Sequence, residues 1–277
     1  MTATAPAPTA GRTPDRPRAQ LGARTSALIL LTPALGLCAV FIVIPAVLAI
    51  AGSFYTFGIT SREWQPAGLS NYSRAFADPI FWIALRNNLI IVLGSIVLQV
   101  GIGTILAAML DRGLPRGATI FRTIIKGVGL TPPTLGWLGD PDISIWVVLV
   151  IACWQYTGFM MVLILAGLQG IPKELYEAAA LDGAKGFTAF RHITLPSIRN
   201  VLIVAVLITT IGGFKVFDLI FATTHGGPAN ATQVLGTCIN LQAFNLGNMG
   251  YANAISVILL MIAVVLGWVQ ITVSRKA

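Results

Sequence analysis

Charged side chains are scarce in this chain: Asp, Glu, Lys and Arg together make up 10% of its 277 residues, where a soluble domain carries about 25%. With 56% hydrophobic residues and a mean hydropathy of +0.81, there is too little polar material to cover a water-facing globule, and a polytopic membrane protein is the default reading. Cysteine is scarce too. Cys38, Cys153 and Cys238 are scattered without C-x-x-C or Cys/His spacing, which excludes a metal site or a disulfide framework as the organising principle and leaves packing as their expected role. The two histidines, His192 and His225, have no neighbouring Ser or Cys and carboxylate in a nucleophile arrangement. No G-x4-G-K-[ST] phosphate loop occurs, so the chain is not expected to bind or hydrolyse ATP. An enzyme is therefore not expected, nor a cofactor or metal in this chain.

What is abundant is long apolar sequence. Five runs, roughly 27–52, 88–110, 143–169, 201–224 and 251–273, each reach the ~20 residues that a helix needs to cross about 30 Å of hydrocarbon. Open sheets leave edges that lipid cannot satisfy, so the fold class is all-α, a polytopic transmembrane helix bundle. Residues 1–26, MTATAPAPTAGRTPDRPRAQLGARTS, are rich in Pro, Ala, Thr and Arg and read as a disordered tail. The apolar run after them is too long for a signal-peptide core and has no clear small-residue cleavage site.

The net charge of +8 is carried in short segments beside the spans, which points to topology rather than to nucleic acid. Arg12, Arg16, Arg18 and Arg24 precede the first run. Arg112 and Arg116 come after the second, Lys173, Lys185, Arg191 and Arg199 lie between the third and fourth, and Arg275 and Lys276 end the chain. These segments are expected to be cytoplasmic, including both termini, with 274–277 as the C-terminal end. Residues 225–250 carry no Asp, Glu, Lys or Arg, and residues 53–85 balance Arg62 and Arg74 against Glu63 and Asp78; those segments are expected outside.

The expected cytoplasmic loop 170–199 contains ELYEAAALDGAKGFTAFRHITLP at 174–196. Pro172 suits the first turn of a helix, Glu174 and Glu177 favour its positive end, and Gly183 can take the left-handed conformation that stops it. A second short helix over Lys185 to Ile193 is expected, with Pro196 opening the climb into the next span. Ala178, Ala179 and Ala180 leave part of the first helix nearly bare, the shape of a knob for another protein's socket. An amphipathic loop lying on the membrane is the alternative from composition. The spacing favours the knob, because Glu177-Ala178-Ala179, Gly183, Ile193, Leu195 and Pro196 match E-A-A-x3-G-x9-I-x-L-P, the cytoplasmic signature of binding-protein-dependent ABC transporter permeases.

The resemblance extends over about 137–273, through WLGDP at 137–141, YTGFMMVLILAGLQGIPKELYEAA at 156–179, FKVFDLIFATTHGGPANAT at 214–232 and MGYANAISVILL at 249–260. It is to the carbohydrate-uptake branch, similar to the maltose, lactose and glycerol-phosphate permease subunits. The first 110 residues agree in pattern only, with LSNY at 69–72 in the outer loop. The resemblance implies a six-span importer permease core over 27–273 in a bacterial cytoplasmic (inner) membrane. It implies a second related permease, two ATP-binding subunits that hold the ATP and Mg, and an extracellular solute-binding protein, with sugar or oligosaccharide as cargo and glycerol phosphate derivatives as a lesser alternative. Glu177, Ala178, Ala179, Gly183, Leu195 and Pro196 would couple to the ATPase, Glu177 through a partner Arg or Lys and Gly183 through the turn. An ion-coupled secondary transporter is the rival reading, with Asp218 the one intramembrane carboxylate available to it.

A solute path needs polar and aromatic side chains facing the bundle interior. Gln155, Tyr156 and Phe159 share one helical face near mid-span, and Thr209 and Gly213 lie one turn apart with Thr210 beside them; span-to-span packing is the alternative role. Lys215 and Asp218, three apart on a helix, are expected to pair side by side as a structural feature, a solute contact being the alternative. Counting crossings leaves one missing. Only 120–137, IFRTIIKGVGLTPPTLGW, is available for the third span, and it is short, irregular or absent. Either these residues cross as an irregular, protein-buried segment, or the chain is a shortened or joined version of a six-span protein, lacking about 30 residues that relatives carry before WLGDP; the second is preferred.

Overall fold

The computed structural model describes residues 31–58, 63–111, 136–184 and 186–275. The expected tail 1–26, the irregular third span and the last two residues lie outside these. The chain divides into two compact units, Met1–Leu48 and Ala49–Ala277. Of the first, the described part is most of helix α1 (Leu31–Gly52), whose mean hydropathy of 2.8 suits a lipid-facing span and which contains a π-helical turn at Ala39–Val43. Cys38 lies on it exposed rather than packed, unlike Cys153 and Cys238, which are buried.

Among its described residues, the regular structure of the second unit is helical apart from a two-residue antiparallel pair, β1 (Tyr55–Thr56) with β2 (Gln65–Pro66). A short amphipathic helix α2 (Ser70–Ala77) comes after it. Its Asn71 amide donates to the carbonyls of Ser53 and Tyr55 at 2.9 and 3.0 Å, fastening the loop after α1. Next comes α3 (Pro79–Leu110), the longest helix. It starts well before the apolar run at 88, because Asp78 caps it through the Ile80 N–H at 2.9 Å and Pro79 pre-sets its first turn. The polar residues Asn87 and Asn88, which broke the apolar pattern, are fully buried inside it.

Helix α4 (Ser144–Gln169) is the second long span of this unit. It packs against α3 closely at glycines, where a Cβ on Gly103 would meet Met160 and the Met161 backbone at 3.2–3.3 Å. Helix α5 (Lys173–Leu181) and helix α6 (Phe187–Ser197) form the loop after α4. Helix α7 (Arg199–Phe214) leaves α6 at a 70° bend. The fourth expected run is therefore broken: α7 stops at Phe214, and α8 (Phe217–Thr223) starts afresh after it. Gly212 and Gly213 weaken the helix there, and the Phe217 N–H closes on the Lys215 carbonyl at 2.7 Å in a tight turn.

Helix α9 (Leu235–Asn240) and the long α10 (Met249–Arg275) complete the unit. At one end of the bundle, Tyr251 of α10 donates to Asp78 at 2.8 Å while the Arg74 guanidinium sits 4.4 Å above the Tyr251 ring. Cys238 is buried in the same cluster. Burial, with the nearby negative Asp78 second, pushes its thiol up to about 12, so it is inert at neutral pH.

Among the described residues, four helices are long and apolar enough to cross a membrane, or five with the bent α6–α7 pair.

Candidate functional site: a bundle cavity and an exposed knob

Helices α3, α4 and α7 line a half-open cavity of about 400 Å³, within the range of about 300–1,000 Å³ for small-molecule sites. Tyr156 and Phe159 line it from α4, and Thr209 and Gly213 from α7, so the structure brings these expected residues together. Gln155 is not among its lining residues. At 3.6 residues per turn the cavity stripe on α4 runs Ala152, Tyr156, Phe159 and Met160, and Gln155 falls at the edge of that stripe, exposed. Thr210 faces the other way, accepting from the Gln270 amide of α10 at 2.8 Å.

Two polar lining residues, Ser95 and Gln99 of α3, were missed by sequence reasoning. Gln99 lies in a π-helical turn, Ile96–Val100, and its amide donates to the Ala152 carbonyl of α4 at 3.3 Å. An extra residue in the turn rotates the rest of the helix, and π turns recur at functional sites for that reason. A single Gln in an apolar run was the available signal. Thr209 is buried and its hydroxyl donates to the Met160 sulfur at 3.8 Å. Gly213 is both lining and packing: a Cβ there would come within 2.7 Å of a Val92 methyl and 3.1 Å of the Val92 Cα.

Lys215 and Asp218 do not pair. The helix breaks between them, so the three-residue offset no longer places them on one face, both are exposed, and no ion pair joins them. Lys215 lines a second opening, of about 350 Å³, between α7 and α10.

The α7–α8 break is held by paired asparagines. Asn88 donates to the Gly213 carbonyl at 3.2 Å and accepts from the Leu235 N–H at 2.8 Å, tying the frayed end of α7 to the start of α9. Asn87 donates to the carbonyls of Ala231 and Gln233, each at 2.8 Å. This anchors a loop in which His225, Ala229 and Asn230 all take positive φ, conformations that cost of order 1–3 kcal/mol each unless held by surroundings.

At the opposite end, α5 and α6 make the knob. Pro172 takes the cap position rather than the first helical one, and Glu174 lies in the first turn. Gly183 has φ +79°; its N–H reaches the Ala180 carbonyl at 3.2 Å and the Ala184 N–H reaches Ala179 at 2.8 Å, a paired closure of the helix end that only the left-handed residue permits. Tyr176 and Thr194 hydroxyls meet at 3.0 Å, clasping α5 to α6. The segment after Pro196 does not start the span. Ile198, with φ −91° and ψ 7°, makes the bend, and the span begins at Arg199.

Glu177, Ala178, Gly183, Leu195 and Pro196 are exposed, whereas Ala179 is buried under the knob. Sequence reasoning missed the apolar tips: Leu181 is 90% and Phe187 75% exposed. Two large apolar groups so exposed on a loop between spans are candidates for contact with a partner or the membrane surface.

The family described as binding-protein-dependent transport system inner membrane component matches residues 21–277. Among curated proteins, the chain is 35% identical to the probable ABC transporter permease protein YurN of Bacillus subtilis (strain 168), covering 87% of this chain and 93% of the relative. It is 32% identical to the trehalose/maltose transport system permease protein MalF of Thermococcus litoralis, covering 89% and 92%. The alignment to the first runs over 273 positions, more than the part of this chain it covers, so that relative carries internal positions without a counterpart here. Among solved structures, a chain of a bacterial ABC transporter involved in the import of the acidic polysaccharide alginate superposes with a TM-score of 0.75 at 20% identity, over 93% of this chain and 98% of that one; this likeness concerns the fold.

Proposed function

Because the chain belongs to the family of binding-protein-dependent transport system inner membrane components, and is thus the membrane-spanning permease of an ABC importer, we propose that its cargo is a sugar or oligosaccharide. We place the α5–α6 knob and both termini in the cytoplasm and the loops at 53–78 and 224–248 outside, following the distribution of Lys and Arg. In this reading the chain pairs with a second permease, and two ATP-binding subunits receive the knob. An extracellular binding protein delivers the solute to the cavity.

The observation that carries the reading is the knob itself. It is locked by its own Gly183 closure and by the Tyr176–Thr194 clasp, yet it presents Leu181, Phe187 and a Glu177 unpaired among the described residues to the outside. A rigid protrusion with apolar tips and one charge fits a socket lined by apolar groups and a cation. The cavity supports the cargo assignment, since Tyr156 and Phe159 offer ring faces and the Tyr156 hydroxyl to a polyol, backed by the buried neutral side chains of Ser95, Gln99 and Thr209. Asp218, the carboxylate that ion coupling would need, is not among the cavity's lining residues.

The test is reconstitution with the cognate ATPase, second permease and binding protein. ATP hydrolysis should rise when the binding protein is loaded with a sugar and fall back in the Glu177→Lys variant. Hydrolysis indifferent to the loaded binding protein, or solute uptake driven by an ion gradient without ATP, defeats the proposal.

A further inference from the structure

Carbohydrates come in two electrostatic kinds: neutral sugars, and uronates or sugar phosphates that carry a net negative charge. Reading the chain as a sugar importer does not separate them, but the wall of the cavity does.

Among the described residues lining it, none is Asp, Glu, Lys, Arg or His. Its polar groups are the hydroxyls of Ser95, Tyr156 and Thr209 and the amide of Gln99, all neutral. The Tyr156 hydroxyl has no partner among the described residues and is free for a ligand. The nearest break in the wall is at Val216, which lines the cavity, but the adjacent Lys215 lines the separate opening between α7 and α10. The tight turn after Phe214 thus sends the one cation of this stretch away from the path.

A neutral hydroxyl leaving water for this site exchanges its hydrogen bonds for comparable ones, and its ring can stack on Tyr156 or Phe159. A carboxylate or phosphate entering the same site leaves its hydration shell for apolar side chains and neutral dipoles, with no countercharge from this wall. An ion that loses hydration without a partner incurs a desolvation penalty that nothing on this wall offsets. We propose that this cavity is selective for uncharged, hydroxyl-bearing solutes and rejects those of net charge, of either sign; this rests on the cavity being the solute path of a sugar importer.

The charge selectivity can be read without knowing the cargo. In the assembled transporter carrying Cys38→Ser, a cysteine is added by Phe159→Cys, with Tyr156→Cys as the second variant should the first fail to assemble, and the labelling of the Cys38→Ser parent, which retains the buried Cys153 and Cys238, is subtracted. Modification of the added cysteine is tracked with three methanethiosulfonates, hydroxyethyl (neutral), sulfonatoethyl (anionic) and trimethylammonioethyl (cationic), each rate divided by that reagent's rate with 2-mercaptoethanol in solution. The neutral reagent should be at least tenfold faster than either charged one. A charged reagent within tenfold of it overturns the proposal, and so does a lack of modification by all three, with and without ATP turnover. A countercharge supplied by the facing permease would show as fast modification by the reagent of opposite sign, and would also overturn it.

A parallel uptake assay compares maltose with glucuronate and glucose 1-phosphate. Uptake of either charged solute overturns the selectivity while leaving the importer reading intact. ATP-dependent uptake of no solute defeats the importer reading, while the labelling rates still decide the selectivity.

Discussion

The knob and the cavity wall obey opposite rules of construction. The knob is local: its helix, its left-handed stop and its Tyr176–Thr194 clasp are all made within residues 172–197, and Glu177, Leu181 and Phe187 are exposed on it. The wall is assembled from segments far apart in sequence, and its integrity rests on buried bonds such as Asn87 to Gln233 and Asn88 to Gly213. Damage to the wall should therefore register in stability, and damage to the knob in coupling.

The largest effect is expected from Asn87→Leu. It leaves the Ala231 and Gln233 carbonyls without their buried donor, at about 1–3 kcal/mol for each group, and frees the loop holding His225, Ala229 and Asn230. A lower midpoint of thermal unfolding in detergent and a reduced yield of assembled transporter are expected; an unchanged midpoint would contradict the anchoring role. Next, Gly213→Val forces a side chain into Val92 and its backbone, which should cost about 1–3 kcal/mol by overpacking. Because Gly213 also faces the cavity, solute-stimulated hydrolysis should fall with it. Val92→Ala in the same chain should restore part of the stability, and a lack of any rescue would remove the steric explanation.

On the knob, Glu177→Lys should cut solute-driven uptake at least tenfold, about 1.4 kcal/mol of coupling, with the unfolding midpoint unmoved. Equal losses in both readouts would erase the division between wall and knob. The smallest effect is expected from Leu181→Ser and Phe187→Ser, each weakening ATPase docking by about 1 kcal/mol and showing as easier loss of the ATPase during purification. If neither changes co-purification, these tips lie outside the socket.

The same division explains what could be read from sequence. The knob was legible because Pro172, Glu174 and Gly183 act within one or two turns, and local propensity governs such a stretch. The cavity was legible only where a polar or aromatic residue interrupted an apolar run of uniform helix, as Tyr156, Phe159 and Thr209 do. Gln155 passed the same criterion yet sits at the stripe's edge, since helical phase alone does not fix where a neighbouring helix will pack. Ser95 and Gln99, one turn apart on α3, were hidden because nothing in the run itself says which face of that helix meets α4 and α7. The start of α3 was hidden by Arg86, Asn87 and Asn88; the two asparagines find their partners more than a hundred positions away. Lys215 and Asp218 read as a helical pair because nothing nearby announces the break except two glycines, and glycines also occur inside intact helices such as α4.

The bend at Ile198 has a mechanical side. Ile198 is buried to 1% exposure among Leu168, Ile164 and Ala205, so it forms the fulcrum of an elbow whose two arms are α6 and α7. With a rise of about 1.5 Å per residue, the arm carrying the knob is roughly 16 Å long and the arm ending at the cavity roughly 24 Å. Turned as one rigid piece about that fulcrum, the long arm travels about half as far again as the short one. If the knob is the coupling element proposed above, a push of an ångström on it would be returned at about equal size at Thr209 and enlarged at Gly213.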